Sequence, residues 1–548
     1  MKNFFQAIEN FGNRVSAQAT PIRVLLFCNA ISVFALIMLS NLQILPLRLS
    51  DFIFFSVLFF LMALYRSGWM FALLVGMLPL EIVNLAPPEL GINLRPYQFL
   101  AVLLASAVLV RLAMKRIKWP LFQRDFFDVV LLVFLLSGLV LIPFLPFPEL
   151  SSVALKQFFI LISFGLLYLL GRVFLKKESD VRIALSFFFS SMSVVLLYSL
   201  WQNLRFKYNL PDFEVMAGRP NGTFPEADFL GGALSMIGAG MIPFGLSFFF
   251  GNQASCLKKS VFAVFLFLIS LILILSVARS GWLAAAIGMI IASTVFFWRN
   301  GMFEALRVWD AKVLRRGVMA KLFIALPIAL AILSIVIFQL TSFDLLDRGQ
   351  SLGSGLQKIT VSCETSSSAT LPEKIGRTEE LERYNCRHID LDEIKTEIAS
   401  GRLVTEVFRD DPNISIRKSI YREAWSIIRE HPITGIGWGN ASHFFGADGN
   451  GAGINASNIF LQVWLEAGVF AFLSFVIFWL SLPILLVRRI IWSADPGSAL
   501  IPMSLLSSFV AVTVFNSFNS GLLLGSLWIF FAILVWSMTS SLGRETSK

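Results

Sequence analysis

The sequence predicts an all-α polytopic membrane protein of about fourteen transmembrane helices (range twelve to fourteen) with one large, mostly helical periplasmic loop domain. Two observations lead to this fold class. Of the 548 residues, 56% are apolar and only 15% are charged, whereas soluble domains carry about 25% charged residues. Apolar runs of about 20 residues, the length that spans the hydrocarbon core, recur along the chain. We expect an N-terminal bundle over 1–342, the loop domain over 343–457 and C-terminal helices over 458–548.

The apolar runs divide into segments of transmembrane length. In chain order they are 22–45, 51–65, 69–86, 97–113, 126–145, 153–173, 183–204, 227–250, 260–276, 281–298, 321–341, 459–487, 500–517 and 521–539. The second segment is short, so thirteen helices or a re-entrant segment at that place remain alternatives. The first segment lacks a small-residue cleavage site at its end, so we interpret it as an uncleaved anchor.

The positive charge of the chain follows the connections between these segments. Lys and Arg are concentrated in every second connection, at 111–124, 172–182, 258–259, 299–321 and 488–489. Basic connections stay on the cytoplasmic side. The pattern therefore predicts a membrane protein with both termini cytoplasmic and 343–457 extracytoplasmic. Because the net charge of +10 is spread over these connections, we exclude a nucleic-acid surface, which needs basic residues on one face.

The loop domain contains three local signals. Its charged stretch from Glu373 to Glu397 suggests one or two exposed helices. Residues 416–430 have helical periodicity and predict an amphipathic helix ended by His431-Pro432. Cys363 and Cys386 both lie in this domain, where oxidation is allowed, so we expect a disulfide, with two free thiols as the alternative.

Three arginines lie at the predicted outer membrane face. Arg279 stands in an apolar sequence, Arg219 lies in a loop of turn-forming residues and Arg417 opens the amphipathic helix. Charges at such places are expensive and usually face a polar cavity. A guanidinium group binds phosphate oxygens bidentately, so the three suit a pyrophosphate ligand. The alternatives are contacts of Arg279 with lipid headgroups, a turn role for Arg219, and a helix ion pair for Arg417.

Other ionisable residues also stand near the membrane. Glu466 follows Asn458 by two helical turns, so both share a face, and we favour a cavity role for Glu466. Lys156 either lines the same cavity as the arginines or reaches the interface. His443 lies in a glycine-rich stretch and is the histidine best suited to act as a general base. Glu81 is interpreted as a helix-end residue near the outer face.

Four segments together resemble the O-antigen ligase and O-antigen polymerase family. Two of them are RKSIYREAWSIIREHPITGIGWG, which starts at Arg417, and NASNIFLQVWLEAG over 455–468. The other two are GRPNGTFPEAD over 218–228 and SVARSGWLA around Arg279. The resemblance spans roughly residues 150–490. It implies a metal-independent, cofactor-free glycosyltransferase of the bacterial inner membrane, whose donor is a glycan on undecaprenyl pyrophosphate.

The resemblance also implies roles for individual residues. Arg219, Arg279 and Arg417 hold the pyrophosphate while an acceptor hydroxyl attacks the anomeric carbon. The substrate site is expected to include Ser457, Asn458, Lys156 and Asp228. Ser457-Asn458 stands where ligases of the family have His-Asn, so the usual proton acceptor is absent. His443, Glu466 or Asp448 then serves, or proton removal is unassisted.

The missing histidine favours a polymerase of O-antigen, capsule or exopolysaccharide. A ligase that moves the glycan to a lipid or protein acceptor is the alternative, and a polysaccharide transporter or flippase is the rival from another class. Transporters commonly contain internal repeats, and we find none here. The partners expected are the lipid-linked oligosaccharide, the growing glycan, membrane lipids, a chain-length regulator and a flippase, with no nucleic acid.

Overall fold

A computed structural model provides the three-dimensional arrangement. It describes residues 22–118, 121–122, 124–208, 210, 218–250, 254–341, 343, 345, 356–364, 371–376, 378–389, 393–410, 412–446, 453–493 and 497–539. This part of the chain is predominantly helical. Asp448, one of the candidate bases, lies outside it.

Twelve helices precede the loop domain in the described residues. They are α1 (Ile22–Asn41), α2 (Leu49–Tyr65), α3 (Ser67–Met77), α4 (Pro96–Ala113), α5 (Phe126–Val140), α6 (Ser151–Phe174), α7 (Glu178–Lys207), α8 (Ala227–Phe250), α9 (Cys256–Leu275), α10 (Arg279–Arg299), the short α11 (Met302–Val308) and α12 (Ala311–Phe338). Each of the first eleven predicted spans overlaps one of the apolar helices, so the sequence located the helical segments well.

Not all of these helices are long enough to cross a bilayer unaided. Within the ranges that the structure describes, nine helices have the necessary length and hydropathy. Five further apolar helices are only 11–17 residues long, namely α2, α3, α5 and the last two of the chain, α17 (Leu500–Asn516) and α18 (Gly525–Thr539). The chain is thus a multi-pass, mainly helical membrane protein, and a count of fourteen spans stays a prediction.

Close packing of α8, α10 and α17 forms the centre of the bundle. A Cβ atom added to Gly281 of α10 would lie 2.9 Å from the backbone carbon of Gly231 in α8. One added to Gly232 would lie 2.7 Å from the Phe515 ring of α17. Small residues let membrane helices approach closely, because lipid provides no hydrophobic drive for their association. These contacts fix the ends of all three helices relative to one another.

The loop domain contains a four-stranded sheet, which corrects the expectation of an all-α chain with a mostly helical loop. The strands are β1 (Leu356–Cys363), β2 (Lys374–Ile375), β3 (Cys386–His388) and β4 (Leu403–Asp410), in the order β2-β4-β1-β3. β1 pairs antiparallel with β4 and with β3, whereas β2 and β4 are parallel. In its described residues, the stretch from Glu373 to Glu397 contains two short helices, a 3₁₀ helix (Thr378–Tyr384) and the start of α13 (Ile394–Ala399), together with β2 and β3.

The sheet has a small core of its own. Ile359, Val361 and Cys363 alternate along β1 and are buried together with Val407 of β4. A disulfide joins Cys363 to Cys386 across the register of β1 and β3. The helical expectation failed because this period-2 pattern covers only one short strand, and its partners lie up to about fifty residues away in the sequence.

The loop domain returns to the membrane through three helices. They are α14 (Pro412–Glu430), α15 (Ala441–Phe445) and the long α16 (Ile459–Trp492), which is kinked at Gly468. The predicted amphipathic helix is present and ends before His431-Pro432. Its buried residues Ile420, Ala424 and Ile428 form one face, whereas Ile416, expected on that face, is exposed.

Candidate functional site

The loop that carries Arg219 meets the turn that carries Arg279. Arg219 donates from Nε to the carbonyl oxygen of Ser276 at 3.0 Å, and its Nη2 pairs with Asp228 Oδ1 at 3.0 Å. Ser276 closes α9, and Arg279 is the first residue of α10. Val277 between them has a φ of +53°, a conformation that reverses the chain in a tight turn. Arg219 and Arg279 are therefore placed on neighbouring segments.

The connection between α17 and α18, residues 517–524, lies between the turn of Arg279 and the helix of Arg417, and we call it the central loop. Asn519 donates from Nδ2 to Ser280 Oγ at 3.0 Å, next to Arg279. The Phe518 ring centre lies 5.8 Å from Arg417 Cζ, within the range of a cation–π contact. Two consecutive residues thus join the Arg279 turn to the helix that carries Arg417.

Ser457 and Asn458 are attached to the same loop. The Asn458 side chain caps α16 by accepting from the backbone N–H groups of Phe460 and Leu461. Its amide also donates to the carbonyl oxygen of Ser517 at 3.0 Å. The Tyr421 hydroxyl, one turn after Arg417, donates to the Ser457 carbonyl oxygen at 3.4 Å. Asn458 therefore has a clear structural function beside the site.

The electrostatic character of this site is cationic. Arg219 is partly neutralised by Asp228, while the half-buried Arg279 and Arg417 add two further guanidinium groups. Burial raises the pKa of the Tyr421 hydroxyl above its usual range, and the charge of Arg417 opposes that effect. Tyr421 is consequently protonated near neutral pH and acts as a hydrogen-bond donor. An anion is the ligand that such a group of side chains favours.

Glu466 has contacts with the glycine-rich turn over 435–439. Its buried carboxylate accepts from the backbone N–H groups of Gly439 and Ala441, and from Gln462 Nε2 at 3.3 Å. Eight residues of helix separate it from Asn458, or about 12 Å along the axis. The Glu466 carboxylate therefore binds the glycine-rich turn, and it is separated from Asn458 by about two turns of helix.

The kink at Gly468 explains why this turn is rich in glycine. The N–H groups of Ile436 and Gly437 donate to the carbonyl oxygens of Leu465 and Glu466, each at 2.9 Å. Gly435 has a φ of +64°, and a Cβ there would lie 2.6 Å from the Leu465 oxygen. Only glycine fits so close an approach of two backbones.

Two other candidates are placed elsewhere. His443 is exposed on the short α15, beside Phe444. Lys156 is exposed on α6. Neither is brought against the three arginine-bearing segments by a contact that the structure describes. Sequence motifs identified the three arginines, but Phe518, Asn519 and Tyr421 were missed. The polar run NSFNS over 516–520, between two apolar segments, was the signal that marked the central loop.

Part of the chain matches a known protein family. Residues 264–476 match the family described as O-antigen ligase. This region of the chain is therefore similar to that family. The matched region is less than half of the chain and contains Arg279, Arg417, Ser457 and Glu466, whereas Arg219 precedes it. No curated protein matches the chain.

Members of the O-antigen ligase family are glycosyltransferase-like enzymes that act as ligases or polymerases. The family implies lipid-linked oligosaccharide substrates for this chain and contact with membrane lipids. The resemblance drawn from the sequence motifs is thereby confirmed.

Proposed function

We propose that the chain is a polymerase that joins oligosaccharide repeats carried on undecaprenyl pyrophosphate. The observation that carries this proposal is that Arg219 contacts the turn of Arg279, and that the central loop joins this turn to Arg417. These residues lie up to about two hundred positions apart in the sequence, so this arrangement is a property of the fold. A pyrophosphate group provides the matching negative charge and the oxygens that guanidinium groups bind.

The proposed reaction is a glycosyl transfer. An acceptor hydroxyl oxygen forms a bond to the anomeric carbon of the donor, and the bond from that carbon to the pyrophosphate oxygen breaks. The leaving undecaprenyl pyrophosphate takes up negative charge, which prepositioned arginines stabilise. This is the contribution that a metal ion makes in other transferases, and it supports a metal-independent mechanism.

The hydroxyl proton has no evident acceptor at Ser457, since a serine hydroxyl lacks the basic site of imidazole. Among the candidate bases, Glu466 is engaged by the glycine-rich turn and His443 is exposed on α15. We therefore favour a late proton loss, in which stabilisation of the leaving group by the arginines provides most of the rate enhancement.

We place the site on the extracytoplasmic side of the bacterial inner membrane, with both termini cytoplasmic. The distribution of Lys and Arg over the connections supports this orientation. The disulfide between Cys363 and Cys386 also favours an oxidising compartment for 343–457. Connections assigned to one side contact each other, as between Phe147 and Phe444, whose ring centres are 5.3 Å apart.

Transfer to a lipid or protein acceptor is the alternative, and the description of the matched family favours it. The two activities differ only in the acceptor, because both use the same donor and leaving group. Serine at position 457 in place of the ligase histidine supports the polymerase. A chain-length regulator and a flippase remain expected partners of either enzyme.

Purified protein in lipid nanodiscs, supplied with lipid-linked repeats, tests the proposal. We expect glycans of two or more repeats together with released undecaprenyl pyrophosphate, both measured by mass spectrometry. Product that forms only after a lipid or protein acceptor is added identifies a ligase. Intact donor under both conditions contradicts the proposal, and movement of the donor across vesicle membranes would then support the transporter rival.

The change Ser457→His tests the proton route separately. Ser457 has a φ of +49°, in the left-handed region where histidine is more common than most non-glycine residues. We expect unchanged or reduced polymerisation, because the proton route of this chain differs from that of the ligases. A pH–rate profile of the purified variant checks this. A rise in rate of about tenfold or more that follows an ionisation near pH 6.5 would contradict it.

A further inference from the structure

A buried carboxylate lies in the connection between α3 and α4, outside the region matched to the family. The Glu81 side chain is fully buried, and Glu81 Oε2 lies 2.7 Å from Arg95 Nη1. The Tyr97 hydroxyl donates to the same oxygen at 2.7 Å. Arg95 also donates to the Tyr97 hydroxyl at 2.7 Å. These three side chains form one hydrogen-bonded group, which we call the Glu81 network.

The Glu81 network forms hydrogen bonds with the end of the central loop. Arg95 donates from Nη1 to the carbonyl oxygen of Leu523 at 2.9 Å. The backbone N–H of Gly525 donates to Glu81 Oε1 at 3.0 Å. The network thereby contacts both sides of the junction where the central loop enters α18. Phe518 and Asn519, which touch the Arg417 and Arg279 segments, belong to that same loop.

Glu81 is attached to the Arg219 loop as well. Its backbone N–H donates to the carbonyl oxygen of Thr223 at 3.0 Å, and that of Ile82 donates to the same oxygen at 3.1 Å. The Thr223 hydroxyl donates back to the carbonyl oxygen of Pro79 at 2.5 Å. Thr223 is four residues from Arg219. One short segment thus holds the loop of Arg219 and the loop that joins Arg279 to Arg417.

We infer that Glu81, through Arg95 and Tyr97, is a positioning residue that sets the geometry of the three arginines. A buried ion pair costs desolvation energy, and apolar residues of similar volume often stabilise a fold equally well or better. Here the buried ion pair instead specifies one conformation of both the central loop and the loop of Arg219. This inference rests on the proposed function for its catalytic meaning, whereas the positioning itself is a property of the fold.

Accessibility of the central loop tests the positioning. Ser520, half-buried in that loop, is changed to Cys in a chain whose exposed thiols Cys28 and Cys256 are replaced by Ala. Glu81→Gln keeps the shape of the side chain but removes its charge. We expect the maleimide labelling rate at position 520 to rise about 10- to 100-fold, as lost charged hydrogen bonds let the loop open.

Two controls separate loop opening from general unfolding. Glu89→Gln removes a charge from the same connection at an exposed position, and should leave the labelling rate unchanged. A reporter thiol made by Ser270→Cys, at a buried site in α9, should stay protected in the Glu81→Gln variant. If Glu81→Gln does not fold, Tyr97→Phe replaces it, since phenylalanine keeps the ring but lacks the hydroxyl that accepts from Arg95 and donates to Glu81. Unchanged labelling at position 520 in a folded variant overturns the inference.

The effect of Glu81 on catalysis is tested by a double-mutant cycle that measures kcat/KM for the lipid-linked donor. Asn519→Ala removes the bond to Ser280. If Glu81 acts through the central loop, Glu81→Gln in the Asn519→Ala background should lower kcat/KM less than it does alone. Independent, additive losses would show that Glu81 does not act through this loop. Absence of product with the unsubstituted chain would instead defeat the proposed function, while the labelling experiment still decides whether Glu81 positions the loop.

Discussion

Replacing Arg279 by Ala is expected to lower the polymerisation rate by about 10²–10³-fold, the loss that follows removal of a group aimed at developing negative charge. Arg279 begins α10 beside Ser280, which the central loop contacts through Asn519. Its truncation removes a guanidinium group from the proposed pyrophosphate site and leaves the apolar helix intact. Single-turnover assays with purified protein measure the rate, and membrane fractionation checks that the variant is inserted normally.

Two matched variants complete the Arg279 test. Arg279→Lys keeps the charge but loses bidentate binding, so an intermediate rate is expected. Arg182→Ala removes an equally positive side chain from the start of α7, where Arg182 is exposed and paired with Glu178 at 2.5 Å. It should leave the rate unchanged. Glycan of normal length and amount from the Arg279→Ala variant would refute the pyrophosphate role.

Gly468→Ala is expected to prevent accumulation of folded protein. Gly468 has a φ of +73°, and an added Cβ atom would be pressed against the carbonyl oxygen of Ile433. Backbone strain and overpacking together cost roughly 2–6 kcal/mol. This is comparable to the whole stability of many proteins, which is about 5–15 kcal/mol. The amount of protein in membranes and its thermal midpoint in detergent measure the effect.

Gly401→Ala is the control for backbone conformation alone. Gly401 has a φ of +79°, but nothing lies within 4 Å of an added Cβ atom. It should cost only about 1–2 kcal/mol, the penalty for a left-handed residue. Equal losses in the two variants would mean that the contact with Ile433 does not restrict position 468, and that the kink in α16 does not depend on that close approach.

The sequence predicted the helical segments well because their signal is local. An apolar run of about 20 residues has few ways to satisfy its backbone in lipid other than a helix. The sheet of the loop domain was missed because its signal is not local. Leu356 pairs with Asp410, and Cys363 pairs with both Leu403 and Cys386. These partners are 23 to 54 positions apart, so no short window of sequence contains them together.

Residues of the site were likewise predicted where their signal was local. Arg219, Arg279 and Arg417 were found from short motifs, and because a charged side chain at the membrane face is energetically expensive. Glu81 was interpreted as a helix-end residue, since its partners Arg95 and Gly525 lie 14 and 444 positions away. For Glu466, the shared face with Asn458 suggested a cavity role. Its carboxylate instead contacts the turn at Gly439 and Ala441, a partner that helical periodicity does not specify.

The sequence by itself determined a multi-pass, mainly helical protein and predicted cationic residues at one membrane face, because run length, charge spacing and motif order are properties of neighbouring residues. Only the tertiary structure decided that the loop of Arg219 contacts the turn of Arg279, and that residues 517–524 join this turn to the helix of Arg417. Hydrogen bonds between distant loops fix this arrangement, and they depend on how α8, α10 and α17 pack. Helix packing brings such loops within hydrogen-bonding distance, whereas their separation in the sequence does not determine their distance in space.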